Sequence, residues 1–203
     1  MKKLRTTTSM PSNSLLKNKN FILFLTIRWF YSLAIQSITL TVGWQVYVLT
    51  GNPLDLGLIG LAQVLPIFLF ILPSGVIADK FDRKSVITLC TIVHLLVAIY
   101  LLYYSLGQPD SIWPILAALL VHGTARAMYQ PSLNAILPNI VEKKLFPNAT
   151  AYNSSVGKLG HLIGPLASGI IIAFYDTKVY IFAIFCLGIS TLSTFLLKKS
   201  KKF

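Results

Sequence analysis

Long apolar runs separated by short polar segments make up most of this chain. A helix that crosses a bilayer takes about 20 mostly apolar residues. Six runs are long enough, at residues 21–49, 56–78, 85–106, 112–136, 148–174 and 178–197. The pattern predicts an all-α membrane protein with six transmembrane helices. We expect a cytoplasmic tail at 1–20, a transmembrane bundle at 21–197 and a basic cytoplasmic tail at 198–203.

The composition supports a protein embedded in a lipid bilayer. Of the 203 residues, 55% are hydrophobic and only 12% are charged, which is about half of the charged share of a soluble domain. Cys90 and Cys186 both lie inside apolar runs, and we interpret them as small buried residues rather than as a disulfide. These features exclude an ordinary water-soluble core.

The chain has a formal net charge of +12, and most of its lysines and arginines lie on one side of the predicted bundle. Lysines and arginines precede the first run and follow the second, fourth and sixth runs, whereas the alternate loops hold only Lys178. Cytoplasmic loops of membrane proteins are enriched in these two residues. We therefore expect both termini in the cytoplasm, and we do not expect binding to nucleic acid.

The segment between the second and third runs concentrates opposite charges. It reads Gly75-Val-Ile-Ala-Asp79-Lys80-Phe-Asp82-Arg83-Lys84. This resembles the loop between helices 2 and 3 of the major facilitator superfamily, Gly-x-x-x-Asp-Arg/Lys-x-Gly-Arg-Lys. Asp82 replaces the second glycine, as in the enterobactin-exporter-like (transmembrane secretion effector) subgroup. The resemblance implies a gating loop in which Asp79 docks against the cytoplasmic end of helix 11. The alternative is a solvated turn that only fixes topology.

A second resemblance lies in the fifth run. The residues Gly160-His-Leu-Ile-Gly164-Pro165-Leu-Ala-Ser168-Gly169 are similar to the superfamily's helix 5 antiporter motif, Gly-x-x-x-Gly-Pro-x-x-Gly-Gly. Together with Gly157 they form a predicted helix-packing motif, because small residues let two backbones approach closely. Leucines at 159, 162 and 166 fall on the other side, which suits lipid.

Several polar residues fall inside the predicted helices, where each costs a few kcal/mol or more and is a functional candidate. The candidates for substrate binding or ion coupling are Arg28, His122, Arg126, Gln130, Lys158 and His161. The ionisable ones are all cationic or can become so, and no Asp or Glu lies at that depth. This pattern favours an anionic or electron-rich substrate. His122 or His161 is a candidate carrier for a coupling proton. The alternatives are snorkelling of Arg28 and Lys158 and hydrogen bonds between helices for the histidines.

The sequence has no pattern typical of catalysis. It lacks a Ser/His/Asp arrangement, a His-x-x-x-His pair, a cysteine cluster and a phosphate-binding glycine loop. We therefore expect no enzyme activity, no catalytic residue, no cofactor and no metal site.

The resemblance covers nearly the whole chain but only the N-terminal half of a twelve-helix family. It implies one half of the major facilitator fold, built as a three-plus-three inverted repeat. The implied function is export of a small anionic or amphipathic molecule by alternating access. The missing half is supplied by a C-terminal continuation, by a second copy or by a separately encoded six-helix partner. The rival interpretation is a truncated or non-transporting membrane scaffold or regulatory subunit.

Overall fold

The computed structural model describes residues 15–80, 82–107, 109–175 and 178–198, and for residues 71–80 it describes the backbone alone. Within these ranges the chain forms six α-helices and no β-strand. The helices are α1 (Lys19–Thr50), α2 (Pro53–Lys80), α3 (Arg83–Leu106), α4 (Trp113–Ile136), α5 (Phe146–Tyr175) and α6 (Val179–Leu196). The all-α fold and the six predicted helices are confirmed.

Local sequence sets both ends of α1 and the start of α2. The Asn18 side-chain oxygen accepts hydrogen bonds from the backbone N–H groups of Asn20 and Phe21, at 3.0 and 3.4 Å, and so caps α1. The helix ends at Gly51, whose φ of 62° is a left-handed conformation that favours a residue without a Cβ. Pro53 then begins α2 at a position where its missing N–H has no helical partner to lose.

Five of the six helices in the described part of the chain are long and apolar enough to cross a membrane. These are α1, α2 over Pro53–Phe70, α3, α5 with the turn before it, and α6. The sequence predicted six such runs, and α4 is the exception. It has 24 residues, which is long enough, but it carries the polar residues His122, Arg126 and Gln130. A helix of this kind needs its polar side against other helices or a water-filled pathway.

The helices pack as two interleaved groups. α1 packs against α5 and α6, α4 packs against α2 and α3, and α3 packs against α6. Exchanging α1 with α4, α2 with α5 and α3 with α6 leaves these contacts unchanged. That is the relation expected of a three-plus-three inverted repeat, a common plan among membrane transporters. α1 and α4 therefore hold equivalent positions in the bundle.

Polar side chains tie α1 to α6 inside an otherwise apolar core. The Tyr180 hydroxyl donates to the side-chain oxygen of Gln45 at 2.8 Å, and the Ser190 hydroxyl donates to the carbonyl of Ile27 at 3.2 Å. The side chains of Gln45, Tyr180 and Ser190 are all buried, and each finds a partner on the facing helix. Hydrogen bonds of this type between helices help to hold a bundle together in lipid.

Candidate functional site

The charged segment between α2 and α3 is described only in part. Gly75, Asp79 and Lys80 belong to the last turns of α2, and their side chains lie outside the described residues. The Asp82 carboxylate accepts a hydrogen bond from the Ser85 hydroxyl at 3.1 Å at the start of α3. The gating role of Asp79 stays a prediction.

Arg83 and Lys84 reach the ends of two neighbouring helices. Arg83 Nη1 donates to the carbonyl of Ala135 near the end of α4, at 2.9 Å. Lys84 Nζ donates to the carbonyl of Phe195 near the end of α6, also at 2.9 Å. The last carbonyls of a helix lack helical partners and carry partial negative charge, so cations stabilise them. The two side chains thus join the start of α3 to the ends of α4 and α6.

The α4 residues His122, Arg126 and Gln130 lie at three different depths in the bundle. His122 is fully buried, Arg126 is half-buried and Gln130 is exposed. An α-helix completes one turn in slightly less than four residues, so residues spaced by four point in gradually changing directions around its axis. The structure therefore brings His122 to α3 and Gln130 to α1, rather than placing all three in one site.

A buried cluster of two histidines and two tyrosines lies where α1, α3 and α4 meet. The rings of Tyr31 and Tyr129 stack with their centroids 3.6 Å apart. His94 lies edge-on to Tyr31 at 5.3 Å and to His122 at 4.6 Å. All four side chains are buried. Tyr31 and Tyr129 were not among the candidates predicted from sequence, although each stands three residues after an arginine, in Arg28-x-x-Tyr and Arg126-x-x-Tyr.

Polar atoms in this cluster are only partly satisfied. His94 Nδ1 donates to the carbonyl of Cys90 at 2.6 Å, and its Nε2 lies 3.4 Å from the Tyr31 hydroxyl. By contrast, both ring nitrogens of His122 and the hydroxyl of Tyr129 are buried with no partner among the described residues. Buried polar groups are normally paired, so the two histidines have different environments.

Arg28 joins α1, α4 and α5. Its Nη1 donates to the side-chain oxygen of Gln130 at 2.9 Å, and Gln130 Nε2 in turn donates to Asn134 Oδ1 at 3.4 Å. The guanidinium also lies against Gly157 of α5, where an added Cβ would be 2.7 Å from both Nε and Nη2. Arg28 therefore has contacts on two other helices, and its role in substrate binding stays a prediction.

Small residues of α5 lie directly on α1. A Cβ added at Gly160 would stand 2.6 Å from the Cβ of Ser32, and one added at Gly164 would stand 2.8 Å from the Cβ of Gln36. Real side chains cannot approach so closely, so only glycine fits at these positions. The other residues of the motif do not make such contacts. The Ser168 hydroxyl is buried and donates to its own helix, Pro165 is half-buried, and Gly169 faces open space.

Lys158 and His161 are exposed on α5, beside the face that packs on α1. Arg28 contacts Gln130 on α4 and Gly157 on α5. Arg126 precedes Gln130 by one helical turn, and His161 follows Gly157 by one turn. Arg28, Arg126 and His161 therefore share one region, which with Gln130 we call the cationic site. Among the described residues, no contact links Lys158 to it.

The acidic residues whose side chains the structure describes lie at helix ends or between helices. Asp55 is in the first turn of α2, Asp82 precedes α3, and Asp110 and Glu142 lie between helices. Arg126 makes no side-chain hydrogen bond to any described residue. The positive charges of the site thus have no carboxylate partner within the described bundle.

Comparisons with known proteins identify the family of this chain. A family model described as "Transmembrane secretion effector" matches residues 13–202. The chain is 31% identical over 135 residues to the Staphyloferrin A transporter of Staphylococcus aureus, covering 65% of this chain and 34% of that protein. It is 25% identical over 148 residues to the uncharacterized MFS-type transporter YfiS of Bacillus subtilis, covering 73% and 33%. Macrolide efflux protein A of Streptococcus pyogenes is 22% identical over 132 residues, covering 65% and 33%.

The fold also matches a solved structure. A crystal structure of the POT family transporter PepTSo aligns with a TM-score of 0.77 and 11% identity, covering 92% of this chain and 39% of that chain. Fold and relatives together define a multi-pass membrane protein of the major facilitator superfamily. The chain belongs to its transmembrane secretion effector family, as the charged segment and the helix 5 motif predicted. It spans about a third of the length of the curated relatives it matches.

Proposed function

We propose that this chain forms the N-terminal half of an exporter that moves a small anionic or amphipathic molecule by alternating access. The observation that carries the proposal is the cationic site: Arg28 contacts α4 and α5 one turn away from Arg126 and His161, and no described carboxylate is bonded to these residues. A charge at membrane depth needs a counter-charge or a water-filled cavity. A substrate anion supplies the first, and a transport pathway supplies the second.

The proposed mechanism needs six more helices. In transporters built from inverted repeats, the substrate site lies near the bilayer midplane, and one bundle rocks against the other around it. Exposed polar residues such as Gln130 and His161 suit a surface that faces such a pathway. The second bundle is a C-terminal continuation, a second copy or a separate six-helix partner. The distribution of lysine and arginine supports both termini in the cytoplasm, and the bacterial relatives support a bundle in the inner membrane of a bacterium.

Charge preference at the cationic site can be tested with three compounds of nearly equal shape. Benzoate is anionic, benzamide is neutral and benzamidine is cationic. The chain is purified into lipid nanodiscs, and its thermal unfolding is followed with each compound at constant ionic strength. We expect benzoate to raise the unfolding temperature and benzamidine to leave it unchanged, because a ligand stabilises the folded state that binds it.

Two variants test whether benzoate acts at the cationic site, and an efflux assay then distinguishes a transporter from a scaffold. Arg126→Gln is expected to remove most of the benzoate effect, whereas Lys144→Gln, in the segment between α4 and α5, is expected to keep it. Equal stabilisation by all three compounds would contradict an anion site. Mass measurement of the purified assembly then identifies the second bundle. Anion efflux from vesicles that contain the assembly supports the transporter, and a stable assembly without efflux supports the scaffold.

A further inference from the structure

Gly157 lies against the charged guanidinium of Arg28, whereas Gly160 and Gly164 on the same face lie against side-chain Cβ atoms of α1. At Gly160 and Gly164, an added Cβ would strike the Cβ atoms of Ser32 and Gln36, which cannot move without moving α1. At Gly157, the atoms in the way are Nε and Nη2 of Arg28, at the far end of a flexible side chain. A methyl group at position 157 therefore displaces the guanidinium and leaves the two helix axes in place.

The guanidinium has a defined position only because of two contacts. Its Nη1 donates to Gln130 on α4, and its Nε edge lies against the bare Cα of Gly157, buried and without a hydrogen-bond partner among the described residues. A long arginine side chain loses several rotatable bonds of freedom when it is held in one place. Gln130 fixes one end of the group, and the missing side chain at 157 leaves room for the other.

We infer that Gly157 is a specificity-determining residue of the cationic site, which acts by positioning Arg28 for a carboxylate of the substrate. The inference rests on the proposed function and names the substrate class more closely. A guanidinium binds planar oxyanions through paired N–H groups in fixed geometry. A displacement of the group by the width of a methyl breaks that geometry while the net charge stays the same.

Two readouts test the inference on the full chain in nanodiscs. The first is the Nε–H resonance of Arg28 in ¹⁵N spectra, assigned by its absence from Arg28→Lys. Because Nε is buried in wild type, we expect this proton to exchange slowly with water, and to shift and exchange faster in Gly157→Ala. This readout needs no ligand.

The second readout is benzoate affinity. We expect Gly157→Ala to weaken binding by about tenfold, the size expected for loss of one charged hydrogen bond. Gly169→Ala is the matched control, because position 169 on the same helix faces open space, and it should bind like wild type. In an Arg28→Gln background, Gly157→Ala should cause no further loss, because the effect is carried by Arg28.

The outcomes separate this inference from the proposed function. If benzoate binds wild type and Gly157→Ala equally, or if the Arg28 resonance is unchanged in Gly157→Ala, the positioning role is overturned while the anion site stands. A loss in Gly157→Ala that persists at full size in the Arg28→Gln background also overturns it, because the effect then acts through helix packing. If benzoate does not bind wild type, the anion site and the specificity role both fall.

Discussion

The two buried histidines differ in how well their ring nitrogens are paired. His94 has partners for both, in the carbonyl of Cys90 and the hydroxyl of Tyr31. His122 has none among the residues that the structure describes. A buried donor or acceptor without a partner costs about 1–3 kcal/mol. His122 therefore has a structural role only if its removal makes the protein less stable.

Leucine substitutions separate the two histidines. His122→Leu should leave the free energy of unfolding within about 1 kcal/mol of wild type or raise it, because it removes polar groups that have no partner. His94→Leu should lower it by about 1–3 kcal/mol, because the Tyr31 hydroxyl then loses its partner inside the core. Unfolding by a denaturing detergent in mixed micelles measures both. Equal losses in the two variants would show that His122 is paired in the folded protein.

The sequence predicted the identity of these polar residues better than their arrangement. His122, Arg126 and Gln130 are spaced by four residues on α4, and the structure spreads them from the core to the surface. Periodicity gives an angle around the helix axis, but it does not say which neighbouring helix stands at each level. Tyr31 and Tyr129 were missed for the same reason, since only the crossing of α1 and α4 brings them together.

At the scale of the helices, glycine contacts join two equivalent pairs of helices, α1 with α5 and α4 with α2. Gly160 and Gly164 bring α5 onto α1, and Gly123 brings α4 onto α2, where an added Cβ would be 2.6 Å from the carbonyl oxygen of Gln63. The exchange of α1 with α4 and α2 with α5 relates these two pairs. Close packing through small residues drives helix association where lipid removes the hydrophobic effect.

Alanine substitutions along α5 test this packing. Gly160→Ala and Gly164→Ala should each lower the free energy of unfolding by about 1–3 kcal/mol, the usual cost of overpacking a close contact. Gly169→Ala should be neutral or should stabilise by up to about 1 kcal/mol, because it gains helix propensity without a clash. The same detergent unfolding assay applies. If Gly169→Ala proves as damaging as Gly164→Ala, the α1–α5 contact does not have the geometry described.

The motif on α5 was recognised from sequence, but its partner was not. The spacing of small residues predicted a packing face, and nothing in the sequence identified α1 as the helix that it meets. Gly169 belongs to the same motif, but a Cβ added there would meet nothing within 4 Å in the described bundle. The hydrogen bonds of Arg83 and Lys84 to the ends of α4 and α6 could not be predicted from the sequence either, because they depend on which helices end at the same level.

At the scale of the whole molecule, the exposed surface of α5 has an apolar side and a polar side. Leu162 and Leu166 are 70% and 65% exposed, and the neighbouring His161 is exposed as well. The leucines suit hydrocarbon, whereas a histidine and the nearby arginines do not. We therefore propose that this side of the bundle faces water in a pathway or a second bundle rather than lipid.

His161 and Leu162 are adjacent in sequence and lie at nearly the same membrane depth, so cysteines at these positions compare the two sides directly. In a background with Cys90→Ala and Cys186→Ala, which removes both native thiols, His161→Cys should react quickly with a charged methanethiosulfonate reagent in membranes. Leu162→Cys should react slowly, because a thiol in hydrocarbon neither ionises nor meets a charged reagent. His122→Cys should stay unreactive until the protein is denatured, since position 122 is fully buried. Equal, slow reaction at 161 and 162 would mean that the cationic site faces lipid, and a pathway on that side of the bundle would be ruled out.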